Sequence, residues 1–361
     1  MMRSPLRWRT KRSSPVATPF RNSPRMSKAG GILRTILVAS ICLSILAVLR
    51  LGGAVMSTIL YPFSLGSAGP KRPPCFKRTG LPKEEYVVLE SVDDPTINHP
   101  EREKTTMVFI GYSTERFENF DEILPKYGDM DKTLDRVLLL WNNQDKCPPT
   151  PPSNTKVPIY VIPQRTNSLN NRMGDDVAKY ARTRSILHVD DDLFLSEKLI
   201  RSMIRTFVKS GVNSFLGCFR ERRYAHPAFG YSDQIPKEHK AKLKELKHNV
   251  VITRTMMLGR RWISKYNKNK KMLQFVNDEM NCEDIMISAL VRSETNGRDP
   301  IYLPLTEEEY RTELPHPGGL SDVLFKKKDG NANEEDKRGW FVRRGDCALK
   351  AQEFFGKGVW G

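Results

Sequence analysis

Three consecutive carboxylates, Asp190, Asp191 and Asp192, interrupt an apolar run in SILHVDDDLFLSEKL, residues 185–199. Like charges this close raise one another's free energy unless a cation shares the site. An Asp-x-Asp at the end of a strand can hold Mn²⁺ or Mg²⁺, hard ions that take oxygen ligands and keep positions open for phosphate oxygens. Such an ion across a diphosphate would lower the cost of the charge that develops as the diphosphate departs. Asp192, nearest the rim, is the expected metal ligand. In an extended chain Asp190 and Asp192 share one side and Asp191 faces the other. A solvated acidic turn has the same composition, so the triplet alone leaves both readings open. A dehalogenase-type phosphatase also uses Asp-x-Asp, but with Thr or Val two residues on, where this chain has Phe194.

Two further stretches carry groups of the right kind. In NSLNNR, residues 167–172, Asn167 and Asn171 offer amides for a base or ribose, and Arg172 offers a fork for a diphosphate. A polar loop with a helix cap would look the same. In NCEDIMISALV, residues 281–291, Ile285, Met286, Ala289 and Leu290 mark a buried helical face with Glu283 and Asp284 in its first turn. Those acids complement the helix dipole, or one of them points into a site as base or electrostatic stabiliser. His188, just before the acids, reads more readily as a packed core histidine than as a ligand.

The elements that must position these groups are legible from hydrophobic pattern. TTMVFIGYS (105–113), RVLLLWNN (136–143), VPIYVIPQ (157–164) and SILHVDDD (185–192) are short apolar runs ending in polar residues. Helix-like stretches such as RFENFDEILPKY and DDVAKYARTR lie between them. Continuous apolar strands alternating with helices predict an α/β fold with a mainly parallel sheet covered on both faces. After the acids, Ser196 reads as an N-cap for a helix burying Leu199, Ile200, Met203, Ile204, Phe207 and Val208. Ligand sites in open α/β sheets lie at the carboxyl ends of the strands. WNN, the NSLNNR stretch and VDDD all fall there.

The remainder of the chain bounds where this happens. Lys and Arg total 59 against 42 Asp and Glu, a net +17. More than half of that excess sits in residues 1–34, which hold nine basic residues and no acid. The balance is therefore a property of one tail, not the footprint of a nucleic-acid-binding surface. An uncharged run of 15 residues, TILVASICLSILAVL, follows. It is extended past Arg50 to about residue 60 if that arginine snorkels. We read 1–34 as a basic cytosolic tail, 35–60 as an uncleaved transmembrane anchor, 61–103 as a Pro- and Gly-rich stem or linker, and 104–361 as the catalytic domain. Positive charge stays cytosolic, so the topology expected is type II with the domain lumenal. A lumenal setting permits disulfides among Cys75, Cys147, Cys218, Cys282 and Cys347, an odd set that leaves at least one unpaired within the chain. The basic region at 236–271 is a solvated face or an attractor for an acidic acceptor or phospholipid surface.

VDDD, WNN, NSLNNR, NCEDI and VRRGDC occur in an order and spacing that resembles the exostosin-like glycosyltransferases, family 64. The resemblance covers roughly residues 105–355. It implies a GT-A nucleotide-sugar-binding fold, a Rossmann-like mixed sheet flanked by helices, with a UDP-sugar donor, Mn²⁺ and retention of anomeric configuration. By motif match, Asp192 is the metal ligand and Asp190 and Asp191 complete the donor-side acidic motif. Asn142, Asn167, Asn171 and Arg172 touch uridine or diphosphate, and Arg116, in GYSTER, lies beside the nucleotide. Asp284 is the catalytic carboxylate near the anomeric carbon. Arg344, in the family's Arg-x-x-Cys pattern, contacts the diphosphate, and Cys282 pairs with Cys347. This chain departs from the family in having Glu283-Asp284 where members carry Asp-Asp, in a GYSTER turn one residue longer, and in being a single catalytic unit.

These readings converge on a transferase of the Golgi or ER membrane that moves an N-acetylhexosamine or hexose from a UDP-sugar to a glycan or glycolipid acceptor. The rival from another class is a catalytically silent glycan- or cation-binding membrane protein on the same scaffold.

Overall fold

The computed structural model describes residues 103–211, 213–218, 224–226, 228, 230–232, 248–305 and 334–361. The expected tail, anchor and nearly all of the stem lie outside the described residues, as does part of the 236–271 basic region. Among the described residues no helix is long and apolar enough to cross a membrane.

The chain enters through β1 (Thr105–Gly111), turns through residues 114–116 into α1 (Phe117–Gly128), and continues to β2 (Leu134–Trp141) and β3 (Ile159–Pro163). Then come a short α2 (Asp175–Tyr180), β4 (Ser185–Val189), α3 (Glu197–Ser210) and β5 (Phe215–Gly217). A two-stranded hairpin, β6 (Ala225–His226) with β7 (Gly230–Tyr231), stands apart from the main sheet. β8 (Thr255–Gly259) is followed by α4 (Arg260–Lys268), α5 (Lys270–Glu279), α6 (Glu283–Glu294), β9 (Ile301–Tyr302) and α7 (Glu334–Phe355).

The main sheet runs in the order β3-β2-β1-β4-β8-β5-β9. Its pairings are parallel except the two made by β8, which is antiparallel to both β4 and β5. The result is the mixed α/β sheet with parallel strands dominant that the run pattern predicts. The four long apolar runs are β1 to β4; β1, β2 and β4 are buried on both faces, whereas β3, at the sheet's edge, is half-buried over Ile159–Val161.

Alternation divides the core. Met107 and Phe109 of β1 pack on one face with α1 and α3, while Val108 and Ile110 pack on the other with α2, α4, α5, α6 and α7. The predicted N-cap holds, since Ser196 Oγ accepts the Leu199 N–H at 3.2 Å. Five of the six predicted apolar positions of α3 are buried. Val208 is the exception at 55% exposed, because it falls past the edge of the stripe defined by Leu199, Met203 and Phe207.

From β1 the connections step outward through β2 to β3, and the chain then returns to place β4 on the other flank of β1. The crevice between the carboxyl ends of β1 and β4 is therefore a topological switch point. At its edge, Gly111 permits close packing that a side chain would block. A Cβ there would lie 2.9 Å from the Trp141 ring and 3.0 Å from Phe120.

Candidate functional site

The acidic triplet does not continue the strand. β4 ends at Val189, Asp190 N–H donates to Arg254 O at 3.2 Å, and Leu193 N–H closes a turn on Asp190 O at 3.3 Å. The turn overturns the side-by-side alternation expected of an extended chain. Asp190 pairs with Arg172 at 2.6 Å. Asp191, expected to face elsewhere, is the most buried of the three and makes a short ion pair with Arg116, whose guanidinium also lies 3.7 Å from Asp192. Burial pushes the Asp191 carboxyl up to about 7, against the attraction of Arg116 and with help from Asp192 and Asp190. The cations that three adjacent carboxylates require are thus two arginines, one from the loop after β1 and one from the loop after β3.

The loop after β3 forms a rim tied to β2. Asn142, at the end of β2, is 1% exposed and spends its amide on the loop, donating to Ser168 O at 2.9 Å and to Asn167 Oδ1 at 3.4 Å. Asn171 donates to Asn142 Oδ1 at 2.9 Å and to Thr166 O at 2.8 Å. From below, Asn170 donates to Leu273 O and Asn277 Oδ1, each at 2.8 Å, and accepts the Tyr266 hydroxyl at 2.7 Å. Asn142 and Asn171 therefore shape the rim, and Asn167 is its exposed edge. Arg172 is 9% exposed, and its Nε and one terminal nitrogen have no hydrogen-bond partner among the described residues. Burial alone would lower its pKa, but Asp190 and, behind it, Glu283 raise it above the ordinary arginine value. His188 is fully buried, and burial together with nearby Arg172 holds it down to about 3. It is the core histidine the sequence suggests.

The second half of the site is built on α6. The turn that enters it holds Met280 at φ +47° and Cys282 at φ +80°, left-handed conformations that ordinary side chains seldom adopt and that cost of order 1–3 kcal/mol each. Asn281 between them turns its side chain to Arg344, which donates to Asn281 Oδ1 at 2.9 Å, to Asp284 at 2.6 Å and to the Tyr231 hydroxyl at 3.2 Å. The Tyr231 ring also lies 4.6 Å from the guanidinium carbon. A disulfide joins Cys282 to Cys347 one turn beyond Arg344, with Cα atoms 5.7 Å apart, the pairing the family resemblance implies. Cys147 is also disulfide-bonded, and Cys218 is free and buried.

Glu283 and Asp284 are both buried. Glu283 accepts from the Thr253 hydroxyl at 3.1 Å, and burial, then the adjacent Asp284, push its carboxyl up to about 7 against the pull of Arg172 and Arg344. Arg172 is ion-paired to Asp190, and its charge is also felt at Glu283. Arg116, Asn142, Asn167, Asn171, Arg172 and Asp190–Asp192 fall in the first group, and Glu283, Asp284 and Arg344 in the second. Sequence reasoning missed Asn119, Tyr127, Thr253 and Tyr231, none of which sits in a motif. Asn281 was visible only as the first letter of NCEDI.

Acidic and cationic side chains thus gather at the strand ends of an α/β sheet, at its switch point. The glycosyl transferase family 64 domain matches residues 105–358, and the chain belongs to that exostosin-like family. A glucosamine inositolphosphorylceramide transferase of Arabidopsis thaliana is 26% identical over 164 residues, covering 44% of this chain and 20% of that protein. An exostosin-like-3 homolog of Caenorhabditis elegans is 25% identical over 205 residues, covering 56% of this chain and 23% of that protein. The chain thus spans about a fifth to a quarter of the length of these relatives. A solved mannosyltransferase from Pyrobaculum calidifontis, in complex with GDP-Man and Mn²⁺, aligns at TM-score 0.36 and 10% identity, covering 69% of this chain and 73% of that one. A likeness of that size does not define a fold.

Proposed function

We propose that residues 104–361 form a GT-A-type, metal-dependent, retaining glycosyltransferase. It moves an N-acetylhexosamine or hexose from a UDP-sugar to a glycan or glycolipid acceptor in the lumen of the Golgi or ER. The observation that supports the reading is the ion pair between the acidic turn and Arg172, whose charge also acts on Glu283. It sets a diphosphate-binding half and a carboxylate half within one electrostatic field.

Among the described residues no cluster of three or more His, Cys, Asp or Glu has metal-holding geometry. The donor set nonetheless fits a hard cation of the Mn²⁺ or Mg²⁺ type, which binds through one or two carboxylates and completes its shell with phosphate and water. Asp192, the motif-matched carboxylate nearest the rim, would hold it; Asp191 pairs with Arg116 and Asp190 with Arg172, and Arg116 lies 3.7 Å from Asp192 as well. Bound there, the ion would offset the negative charge gathering on the departing diphosphate.

The chain's own residues do the rest. Arg172 gives its unpartnered N–H groups to the diphosphate while anchored by Asp190. Asn167 presents an amide edge to uridine, with Asn142 and Asn171 holding that edge in place. Asp284 stabilises positive charge at the anomeric carbon, and Arg344 holds it in place through an ion pair at 2.6 Å until the donor arrives. Arg344 reaches the diphosphate only by loosening its grip on Asp284, Asn281 and Tyr231. A screen of nucleotide sugars for hydrolysis by the purified protein, with and without Mn²⁺, tests the proposal. Metal-stimulated hydrolysis of one UDP-sugar is expected. Binding without turnover of any donor would favour the silent scaffold.

A further inference from the structure

The loop 190–195 carries three carboxylates and lies between β4, which ends at Val189, and α3, which begins at Glu197. Two arginine pairs, the Arg254 carbonyl and a bridge at Leu193 hold it in part. A further support comes from α1. Asn119, in the first turn of α1, donates to the Asp191 carbonyl at 3.4 Å. Tyr127, in its last turn, donates its hydroxyl to the Leu193 carbonyl at 3.4 Å and accepts the Leu195 N–H at 2.7 Å. The two residues are eight positions apart, about 12 Å along a helix, and they meet the loop at Asp191 and at Leu193 and Leu195. The loop therefore lies alongside the helix, held at both ends. Asp192 sits between the two clamped carbonyls.

We infer that α1 is a splint for the acidic turn, and that Tyr127 is a positioning residue that fixes where Asp192 presents its carboxylate. The inference rests on the reading of Asp192 as the metal-facing group. Tyr127 is fully buried, with its ring against Phe109 at 5.6 Å and Phe194 at 5.2 Å. For that packing a phenylalanine would serve equally well, so the hydroxyl is the part that needs a reason. Burial raises its pKa well above the ordinary phenol value, which keeps the proton on the oxygen and the donor to Leu193 in place. The geometric need is real, because three adjacent carboxylates push apart, and a ligand group displaced by about 0.5 Å no longer serves its ion.

The experiment uses the full chain and Mn²⁺ alone, with free ion counted by electron paramagnetic resonance. Tyr127→Phe keeps the ring and should weaken Mn²⁺ binding about tenfold, the loss of one to two buried hydrogen bonds. Asn119→Leu should weaken it in the same direction by less. In an Asp192→Asn background, which keeps one ligand oxygen and a weaker Mn²⁺ uptake, Tyr127→Phe should add nothing, because it acts through a carboxylate no longer there. A purely structural role predicts additive losses instead. Equal Mn²⁺ affinity in Tyr127→Phe and the parent, or additivity in the double variant, overturns the splint. If the parent takes up no Mn²⁺, the metal reading falls, and hydrogen exchange over residues 190–196 decides the splint alone. Faster exchange there in Tyr127→Phe supports it; unchanged exchange overturns it.

Discussion

The acidic turn and the α6–α7 pair both gather buried carboxylates around an arginine, but they are held together by different means. The turn sits where the sheet order reverses, and its partners come from neighbouring strand ends: Arg116 after β1 and Arg172 after β3. The pair joins residues 60 apart in sequence, Asp284 and Arg344, and a disulfide one turn away ties the same two helices. Topology builds the first half of the site, whereas the second needs a covalent tie and a strained entry turn. The first should therefore tolerate loss of any one anchor better than the second.

The largest effect is expected at Asp284. Asp284→Asn should lower kcat by a factor of about 10²–10³ while leaving donor binding in place, the mark of a contact needed chiefly in the transition state. It also leaves Arg344 buried beside a neutral amide, so melting should fall as well, by an amount in the range of about 3–5 kcal/mol typical of broken buried pairs. Glu283→Gln should be milder in rate. Equal and small effects from the two would reduce α6 to a helix with acids at its positive end.

Next comes the turn, where the structure reverses an expectation. Sequence alternation makes Asp191 the dispensable member, but it is the carboxylate that neutralises buried Arg116. Asp191→Ala should cost about 3 kcal/mol or more of stability with a smaller effect on nucleotide affinity. Asp192→Ala should do the opposite, abolishing metal-dependent UDP binding with little change in melting. Calorimetry of UDP with and without Mn²⁺, beside thermal denaturation, separates the two. The reading of Asp191 as an anchor fails if Asp191→Ala melts like the parent, and the comparison between the halves breaks if it melts lower than Asp284→Asn.

Cys282→Ser and Cys347→Ser should each lower stability by at most about 4 kcal/mol, the chain-entropy value for a loop of 65 residues. Activity should fall with it, and the double variant should be no worse than either single one. Non-reducing peptide mapping checks the bond itself.

The smallest effect is a pH slope. Glu283 has a folded-state pKa of about 7 against an ordinary 4.5, so between these values the folded chain holds a proton that the unfolded chain has released. Stability from this group is therefore fully present below about 4.5, declines as pH rises through the window, and levels off above 7. Glu283→Gln should flatten that slope and melt higher than the parent at pH 8. Parallel melting curves across pH for the two proteins would contradict it.

These contrasts also explain what could be read from residues alone. β1 to β4 announce themselves as apolar runs with polar ends, so the sheet and the location of the site at its rim follow from pattern. Ser196 and the α3 stripe follow from capping and periodicity. The turn at Asp190–Asp192 does not, because alternation assumes an extended chain, and only the Leu193–Asp190 hydrogen bond reveals that the strand has ended. Arg344 and Tyr231 had no local signal, since each acquires its role from a partner brought by tertiary folding. Family likeness supplied Arg344 and the disulfide. Nothing in the sequence supplied Tyr231, Thr253 or the hydroxyl of Tyr127.

The 65-residue separation of Cys282 and Cys347 also sets an order of events during synthesis. By the time α6 has been made, the chain already possesses the acidic turn, the asparagine rim and both acids of the pair. It lacks Arg344, so Asp284 has no counter-ion and the entry turn at Met280–Cys282 has nothing tying it to another helix. A nascent chain can thus fold its sheet while the reactive half stays unassembled. Assembly of that half waits for α7, which brings Arg344 and Cys347 together to the entry turn.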